Sequence, residues 1–193
     1  MDEGRHDGLP AGTITRLLHE ARDGARAPLD RLFEIVYGEL KEVARGELRH
    51  RTSSEFRATS LVNAAYARLL GRGSLEAQDR RHLFFLFGRA MRDVLVEHAR
   101  ANRAARRGGG RTILSIDGDA CEAPAEGVDI LELHEALDTL ANHDPGAARV
   151  VVLRFFGGRT LRDIVELEER SLDAVRRDWE YARAWLQARM GTP

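Results

Sequence analysis

Arginine is the residue type that recurs where chemistry is possible. Residues 89–111 carry seven arginines against Asp93 and Glu97 alone. Arg89, Arg92, Arg100 and Arg103 share one helical segment, RRHLFFLFGRAMRDVLVEHARANRAARRGGGR, and fall mainly off its apolar stripe. Arg106, Arg107 and Arg111 carry the charge on into Gly108, Gly109 and Gly110. Guanidinium groups on a rigid helix can neutralise phosphates, and aromatic rings beside them can stack on unpaired bases. The rings available are Phe84, Phe85 and Phe87. Phe84 and Phe87 lie on the stripe and read as core. Phe85 lies off it and reads as either exposed or packed on a neighbouring helix.

A second arginine-bearing segment, SLDAVRRDWEYARAWLQARM, closes the chain. Residues at the start of a recognition helix reach base edges in the major groove. Here they are Ser171, Asp173, Ala174, Arg176 and Arg177. Arginine can hold guanine through two hydrogen bonds, and a Ser-capped helix start favours phosphate. The same segment also fits an amphipathic packing helix with ordinary surface charges, and its sequence alone leaves both readings open.

Catalytic signals are poor. His6, His19, His50, His82, His98, His134 and His143 never pair at i, i+3 or i+4, and Glu97-His98 lacks a second ligand at helical spacing. No metal site is expected. Cys121 is the only cysteine, which excludes an internal disulfide and a cysteine-based zinc site. The glycines at 108–110 lack the Lys-Ser/Thr of a phosphate-binding loop, and no GxSxG occurs. No catalytic residue, cofactor or metal is assigned.

The 193 residues hold one mid-sized domain or two small ones, with a net charge of -1. That near-neutral total hides an asymmetry. Against the balance of +5 over residues 89–111, residues 112–148 carry nine acids and no Lys or Arg. A basic block followed at once by an acidic one points to a polyanionic partner. The polar start, MDEGRHDGLPAG, does not read as a signal peptide, and the apolar runs are far too short to span a membrane. A soluble, cytoplasmic protein is expected.

Helical apolar spacing dominates the elements that would position these residues. Thr13 is expected to cap a short helix with Ile14, Leu17, Leu18 and Ala21 inward. Pro28 should open a longer helix carrying Leu29, Leu32, Phe33, Val36, Tyr37, Leu40, Val43, Ala44 and Leu48. Ser60 should open a third, with Leu61, Val62, Ala65, Tyr66, Leu69 and Leu70 inward and Gly71 as its stop. The fourth runs over about 80–106, with Leu83, Phe84, Phe87, Ala90, Met91, Val94, Leu95 and Ala99 on its stripe. Residues 108–127 read as an acidic linker in which TILSI (112–116) is a short extended piece.

The second lobe begins near Val128, with Ile130, Leu133, Leu137 and Leu140 on one face. Asp144-Pro145 caps the helix bearing Val151, Val152 and Phe155, which Gly157 and Gly158 stop. Thr160 and Asp163 form a capping box, and Ser171 caps the last helix, with Leu172, Val175, Trp179, Ala182 and Leu186 inward. A short helix, a tight turn and a longer helix outline a helix-turn-helix. The fold class expected is all-α, in two helical lobes joined by the linker.

These segments together resemble an extracytoplasmic-function (ECF) sigma factor of the sigma-70-like family. The matching stretches are ITRLLHEARDGARAPLDRLFEIVYGELKEVAR (14–45), TSLVNAAYARLL (59–70), RRHLFFLFGRAMRDVLVEHAR (80–100), ARVVVLRFFGGRT (148–160) and RRDWEYARAWL (176–186). The LVEHAR stretch at 95–100 and the RDWEYARAWL end most resemble a histidine-containing subgroup. The resemblance runs through nearly the whole chain in one order.

The resemblance implies residues 1–24 as a tail with a short helix, 25–107 as region two, 108–127 as linker and 128–193 as region four. Region two would dock on the clamp of core RNA polymerase through Leu61, Asn63 and Tyr66. It would open the minus-ten element with Arg80, Arg81, His82, Phe85, Arg89, Arg92, Arg100 and Arg103, the segment 72–82 capturing an unpaired base. Region four would dock on the polymerase flap and read the minus-thirty-five element with Ser171, Asp173, Ala174, Arg176 and Arg177. Partners implied are the polymerase, promoter DNA and an anti-sigma or other regulatory protein, with no membrane and no catalysis by the chain itself. A degenerate sigma-like protein placed on DNA by a partner, and a polymerase-independent helix-turn-helix regulator, are the alternatives.

The chain departs from the family pattern at four residues. Ala64 stands where an acidic residue is usual on the clamp-facing helix. Glu168, Glu169 and Arg170 replace an apolar-Gly-apolar turn. A missing turn glycine costs about 1 kcal/mol where a positive φ is needed, and two apolar anchors become charged. A destabilised turn is therefore expected.

Overall fold

An apolar residue every three or four positions can be buried only if the chain coils as a helix and lays that stripe against another. The computed structural model describes residues 12–21, 26–48, 58–71, 77–105, 113–114 and 128–190, and among these it is all-α apart from one two-residue strand pair. The first lobe comprises α1 (Thr13–Glu20), α2 (Arg26–Leu48), α3 (Ala58–Leu70) and α4 (Arg80–Ala105). Strand β1 (Ile113–Leu114) pairs antiparallel with β2 (Val128–Asp129), Ile113 opposite Asp129. The second lobe comprises α5 (Ile130–His143), α6 (Pro145–Val151), a π-helical turn at Val152–Phe156, α7 (Leu161–Glu168) and α8 (Leu172–Met190).

The expected helices are present, and their starts differ for identifiable reasons. Gly12, not Thr13, occupies the cap position of α1, at φ 97. Helix α2 begins at Arg26, two residues before Pro28; first-turn amides have no helical acceptor, so a proline there breaks no bond. Helix α3 begins at Ala58 rather than Ser60. Asp79 caps α4 by accepting from the His82 amide at 2.6 Å. The extended piece expected at 112–116 is realised as β1, and α5 is capped by Asp129, whose carboxylate accepts from the Leu131 amide. The side chains of Val43, Ala44 and Leu48, the glycines at 108–110 and most of the linker lie outside the described residues.

The stripes meet as their spacing predicts. Leu32, Val36 and Leu40 of α2, Leu61, Val62 and Ala65 of α3, and Leu83, Phe84, Met91 and Leu95 of α4 are buried together. Ile130, Leu133, Leu137 and Leu140 of α5 close on Val151 of α6, Ile164 of α7 and Val175, Ala182 and Leu186 of α8. The buried cluster does not stop at the lobe boundary. Helix α4 packs on α5, on the π-turn and on α7, so one apolar core runs through both lobes. Gly88 sits at the closest approach: a Cβ there would lie 3.1 Å from Val152 Cγ1 and 3.2 Å from the Val152 carbonyl oxygen. A side chain at this position would press on the π-turn, which would have to give by a few tenths of an ångström.

Candidate nucleic-acid and polymerase surfaces

Helix α4 presents its candidate residues unequally. Arg81, Arg89, Arg100 and Arg103 are exposed, and Arg81 pairs with Asp79 at 3.4 Å. Arg92 is 7% exposed, contrary to the expectation that it lies off the buried face. Its Nη1 lies 3.0 Å from Asp138 Oδ1 of α5, and its Nε lies 3.8 Å from Asp93 Oδ1. A buried guanidinium requires carboxylate partners, and the second lobe supplies one. Phe85 is half-buried beneath the Arg149 guanidinium, 4.4 Å from its ring centre, which settles that residue as packed. Arg80 pairs with Glu39 of α2 at 3.3 Å. Arg159 reaches the same carboxylate oxygen at 2.6 Å and lies over the Phe84 ring at 3.9 Å. His82 is half-buried. Arg106, Arg107, Arg111 and residues 72–76 lie outside the described residues.

Helix α3 divides its three candidates. Leu61 is fully buried, so it belongs to the core stripe with Val62, Ala65 and Leu69 and cannot itself meet a partner. Asn63 is exposed and Ala64 half-buried. Tyr66 stacks on Phe33 at 3.8 Å between ring centres and donates its hydroxyl proton to Asp30 Oδ1 at 3.2 Å. Burial, the hydrogen bond to Asp30 and that carboxylate's charge push its pKa up to about 12, against a small opposing pull from Arg26.

The helix-turn-helix forms from α7, the turn and α8. Thr160 Oγ1 accepts from the Asp163 amide and the Asp163 carboxylate accepts from the Thr160 amide, the reciprocal box expected from the sequence. Ser171 Oγ accepts from the Ala174 amide at 3.2 Å, so its hydroxyl is engaged in the cap. Asp173, Arg176 and Arg177 are exposed, and Ala174 is half-buried. Tyr181, 47% exposed and one turn beyond Arg177, extends this outward surface. Sequence reasoning passed over it, although its i+4 spacing from Arg177 and its place off the Val175–Ala182–Leu186 stripe were there to be read.

The altered turn is better supported than its composition suggests. Glu169 has φ 53 and ψ 42, the left-handed conformation for which the family pattern supplies glycine. The two flanking charges are satisfied. Glu168 Oε1 accepts from Arg149 Nε at 2.7 Å, and Arg170 Nη2 pairs with Asp178 Oδ2 at 2.7 Å. Two of the three substitutions thus bring partners of their own, which the sequence alone did not show. Only the backbone strain at Glu169 stays uncompensated.

Beside α4, His134 of α5 has its pKa lowered by burial above all, with Arg92 and Arg100 adding to the effect. Asp138, 3.7 Å from its Nε2, and Asp93 oppose the shift. Among the described residues no cluster of three or more His, Cys, Asp or Glu could hold a metal. None of their helices is long and apolar enough to cross a membrane.

No curated protein matches the chain at the level of sequence. Among solved structures it is similar to that described as "Structure of CnrH in complex with the cytosolic domain of CnrY", at 20% identity and a TM-score of 0.40, over 91% of this chain and 96% of that one. The family comparison is decisive, because one description, ECF sigma factor, covers residues 11–192 and so takes in both lobes and the helix-turn-helix together. The chain belongs to the ECF sigma factor family.

Proposed function

We propose that this sigma factor binds core RNA polymerase in the cytoplasm and directs promoter recognition, DNA opening and transcription initiation, the polymerase supplying all of the catalysis. The observation that carries the reading is the doubly capped α7–turn–α8 unit, with Asp173, Arg176 and Arg177 exposed at the start of the longer helix. An amphipathic packing helix also carries such charges outward; what supports the reading is their place at the capped start of the second helix of a helix-turn-helix, where a helix entering the major groove carries its contacts. In this reading residues 25–107 form region two, 108–127 the linker and 128–193 region four. Asn63 and Tyr66 lie toward the polymerase clamp, with Leu61 supporting them from the core. Arg80, Arg81, His82, Phe85, Arg89, Arg92, Arg100 and Arg103 serve the minus-ten element. Ser171, Asp173, Ala174, Arg176 and Arg177 serve the minus-thirty-five element, Ser171 by holding the helix start.

Gel filtration with core polymerase, followed by run-off transcription, tests the proposal. Co-elution and promoter-dependent transcripts are expected. Separate elution at micromolar concentrations overturns it and leaves the two alternatives, a degenerate sigma-like protein placed on DNA by a partner and a polymerase-independent helix-turn-helix regulator.

A further inference from the structure

The start of α8 carries three exposed charges that the fold leaves unspent. Four other arginines of the second lobe are engaged: Arg149 with Glu168, Arg159 with Glu39, Arg170 with Asp178, and Arg154 with the Arg159 carbonyl. Arg176, Arg177 and Asp173 have no such partner among the described residues. Asp173 is the informative one. An acid in a first helical turn ordinarily caps free amides or pairs with a cation one turn on. Here the cap is made by Ser171, whose Oγ accepts from the Ala174 amide. Arg177 stands four residues on, yet no ion pair joins it to Asp173. Within the fold Asp173 keeps only a weak attraction to the positive end of α8.

The helix-turn-helix as a whole is not basic. Residues 161–190 carry seven acids against six arginines. Such a unit gains little from general attraction to phosphate, so discrimination among duplexes falls to contacts with base edges. Asp173 and Arg177 share the outward face of α8, opposite the Val175–Ala182–Leu186 stripe. Four residues of helix separate them by about 6 Å along its axis, which is about two base-pair steps of a duplex. In the major groove guanine offers two acceptors, and thymine an acceptor and a methyl group. Adenine offers an amino donor beside an acceptor, and cytosine an amino donor alone. A carboxylate is repelled by every acceptor, so only cytosine meets Asp173 without opposition. The Arg177 guanidinium matches the two acceptors of guanine.

We propose that Asp173 is a specificity-determining residue, which selects a cytosine by accepting from its amino group, close to a guanine held by Arg177. The inference rests on the reading of α8 as the major-groove helix made under Proposed function, and adds to it the identity of the bases. The carboxylate works by exclusion as much as by attraction. Every duplex without an amino donor at that place leaves it among phosphates and base acceptors, where it weakens binding.

The test is selection from a duplex library randomised over one helical turn, about ten base pairs. It is run with the full chain and core polymerase and, in parallel, with the full chain alone at low salt. Wild type is compared with Asp173→Ala, Asp173→Asn, Arg177→Ala and a charge control, Glu180→Gln, which removes an exposed carboxylate farther along α8. Wild type is expected to enrich a motif with a fixed C·G pair, and duplexes changed at that pair should bind about ten-fold more weakly. Asp173→Ala should lose the preference at that pair alone, and Arg177→Ala the preference for the neighbouring guanine. Asp173→Asn should move the preference from cytosine to adenine, whose donor and acceptor an amide matches with two bonds. Glu180→Gln should keep the wild-type motif. An unchanged motif in Asp173→Asn overturns the proposal. So does an equal gain in affinity for all duplexes in Asp173→Ala, which reports net charge alone. Circular dichroism melts confirm that each variant is folded. A wild-type chain that enriches no motif in either format removes the major-groove reading of α8 and this inference with it, whereas a motif indifferent to Asp173 removes the inference alone.

Discussion

Arg92 of α4 and Asp138 of α5, 46 positions apart in sequence, lie 3.0 Å from each other across the two lobes. The pair is asymmetric, with side-chain exposures of 8% for the arginine and 55% for the aspartate. The carboxylate therefore keeps much of its water and the guanidinium does not. Coulomb attraction at such a half-wet site is modest, whereas leaving the buried cation without a partner is costly. The contact matters most as the condition under which Arg92 can be buried at all.

Arg89 and Arg92, one turn apart, should consequently respond differently to truncation. Arg89 is exposed, so Arg89→Ala should leave the melting temperature unchanged while lowering the salt slope of DNA binding by about one. Arg92→Ala removes packed stem and head group together and should cost about 1–3 kcal/mol of stability. Thermal unfolding in parallel with salt-titrated DNA binding checks both. Equal melting temperatures for the two variants would show that Arg92 is not held as the structure has it.

At the turn, the three unusual residues should separate under mutation. Glu169→Gly relieves the left-handed strain at φ 53, worth about 1–2 kcal/mol, and gives back part of it as chain entropy. A net gain of about 0.5–1 kcal/mol is expected. Glu168→Leu should act in the opposite direction, because Arg149 loses the acceptor of its Nε and its hold over Phe85. Chemical denaturation of the full chain measures both; destabilisation by Glu169→Gly, or stabilisation by Glu168→Leu, would contradict this account of the turn.

His134 supplies a pH dependence whose sign is fixed. Its pKa is lowered in the folded chain, chiefly by burial, so below the ordinary histidine value the unfolded chain binds more protons. The stabilisation is complete above about pH 6.5 and is lost as pH falls through the lowered value. The groups facing it are Asp138 on its own helix and Arg92, Asp93 and Arg100 on α4. Melting temperatures between about pH 7 and pH 5 should fall more steeply for the wild type than for His134→Gln. Parallel profiles would mean that His134 titrates normally.

Most helices were legible in the sequence because burial imposes a period, and the period shows in Leu32, Val36 and Leu40 or in Val175, Ala182 and Leu186. The caps at Asp144 and Thr160 were equally legible, since each is a local bond between a side chain and the amide three residues on. Less was legible in the site. Arg92 reads as an outward, phosphate-facing charge because periodicity reports which face a residue occupies, not what later covers that face. The partners Asp138 for Arg92 and Arg149 for Phe85 come from a distant segment, and only the tertiary fold brings them in. One signal was present. Phe85, Gly88 and Arg92 are spaced three and four apart, and a glycine inside a long helix is disfavoured by about 1 kcal/mol unless something must approach it.

Gly88 offers the sharpest test of how tightly the lobes close. Gly88→Ala improves helix propensity by about 1 kcal/mol, so in an isolated helix it would stabilise. Here the new Cβ would lie 3.1 Å from Val152 Cγ1 and 3.2 Å from the Val152 carbonyl oxygen, and α4 and the π-turn must separate by a few tenths of an ångström. Overpacking of this kind costs about 1–3 kcal/mol, enough to offset the propensity gain. Val152→Ala removes the methyl contact but leaves the carbonyl one. The double variant should therefore recover only part of the stability that Gly88→Ala loses beyond the cost of Val152→Ala alone. Chemical denaturation of both single variants and the double forms the cycle that measures this. A Gly88→Ala protein more stable than wild type would show that the π-turn does not press on α4, and that the lobes meet more loosely than these distances require.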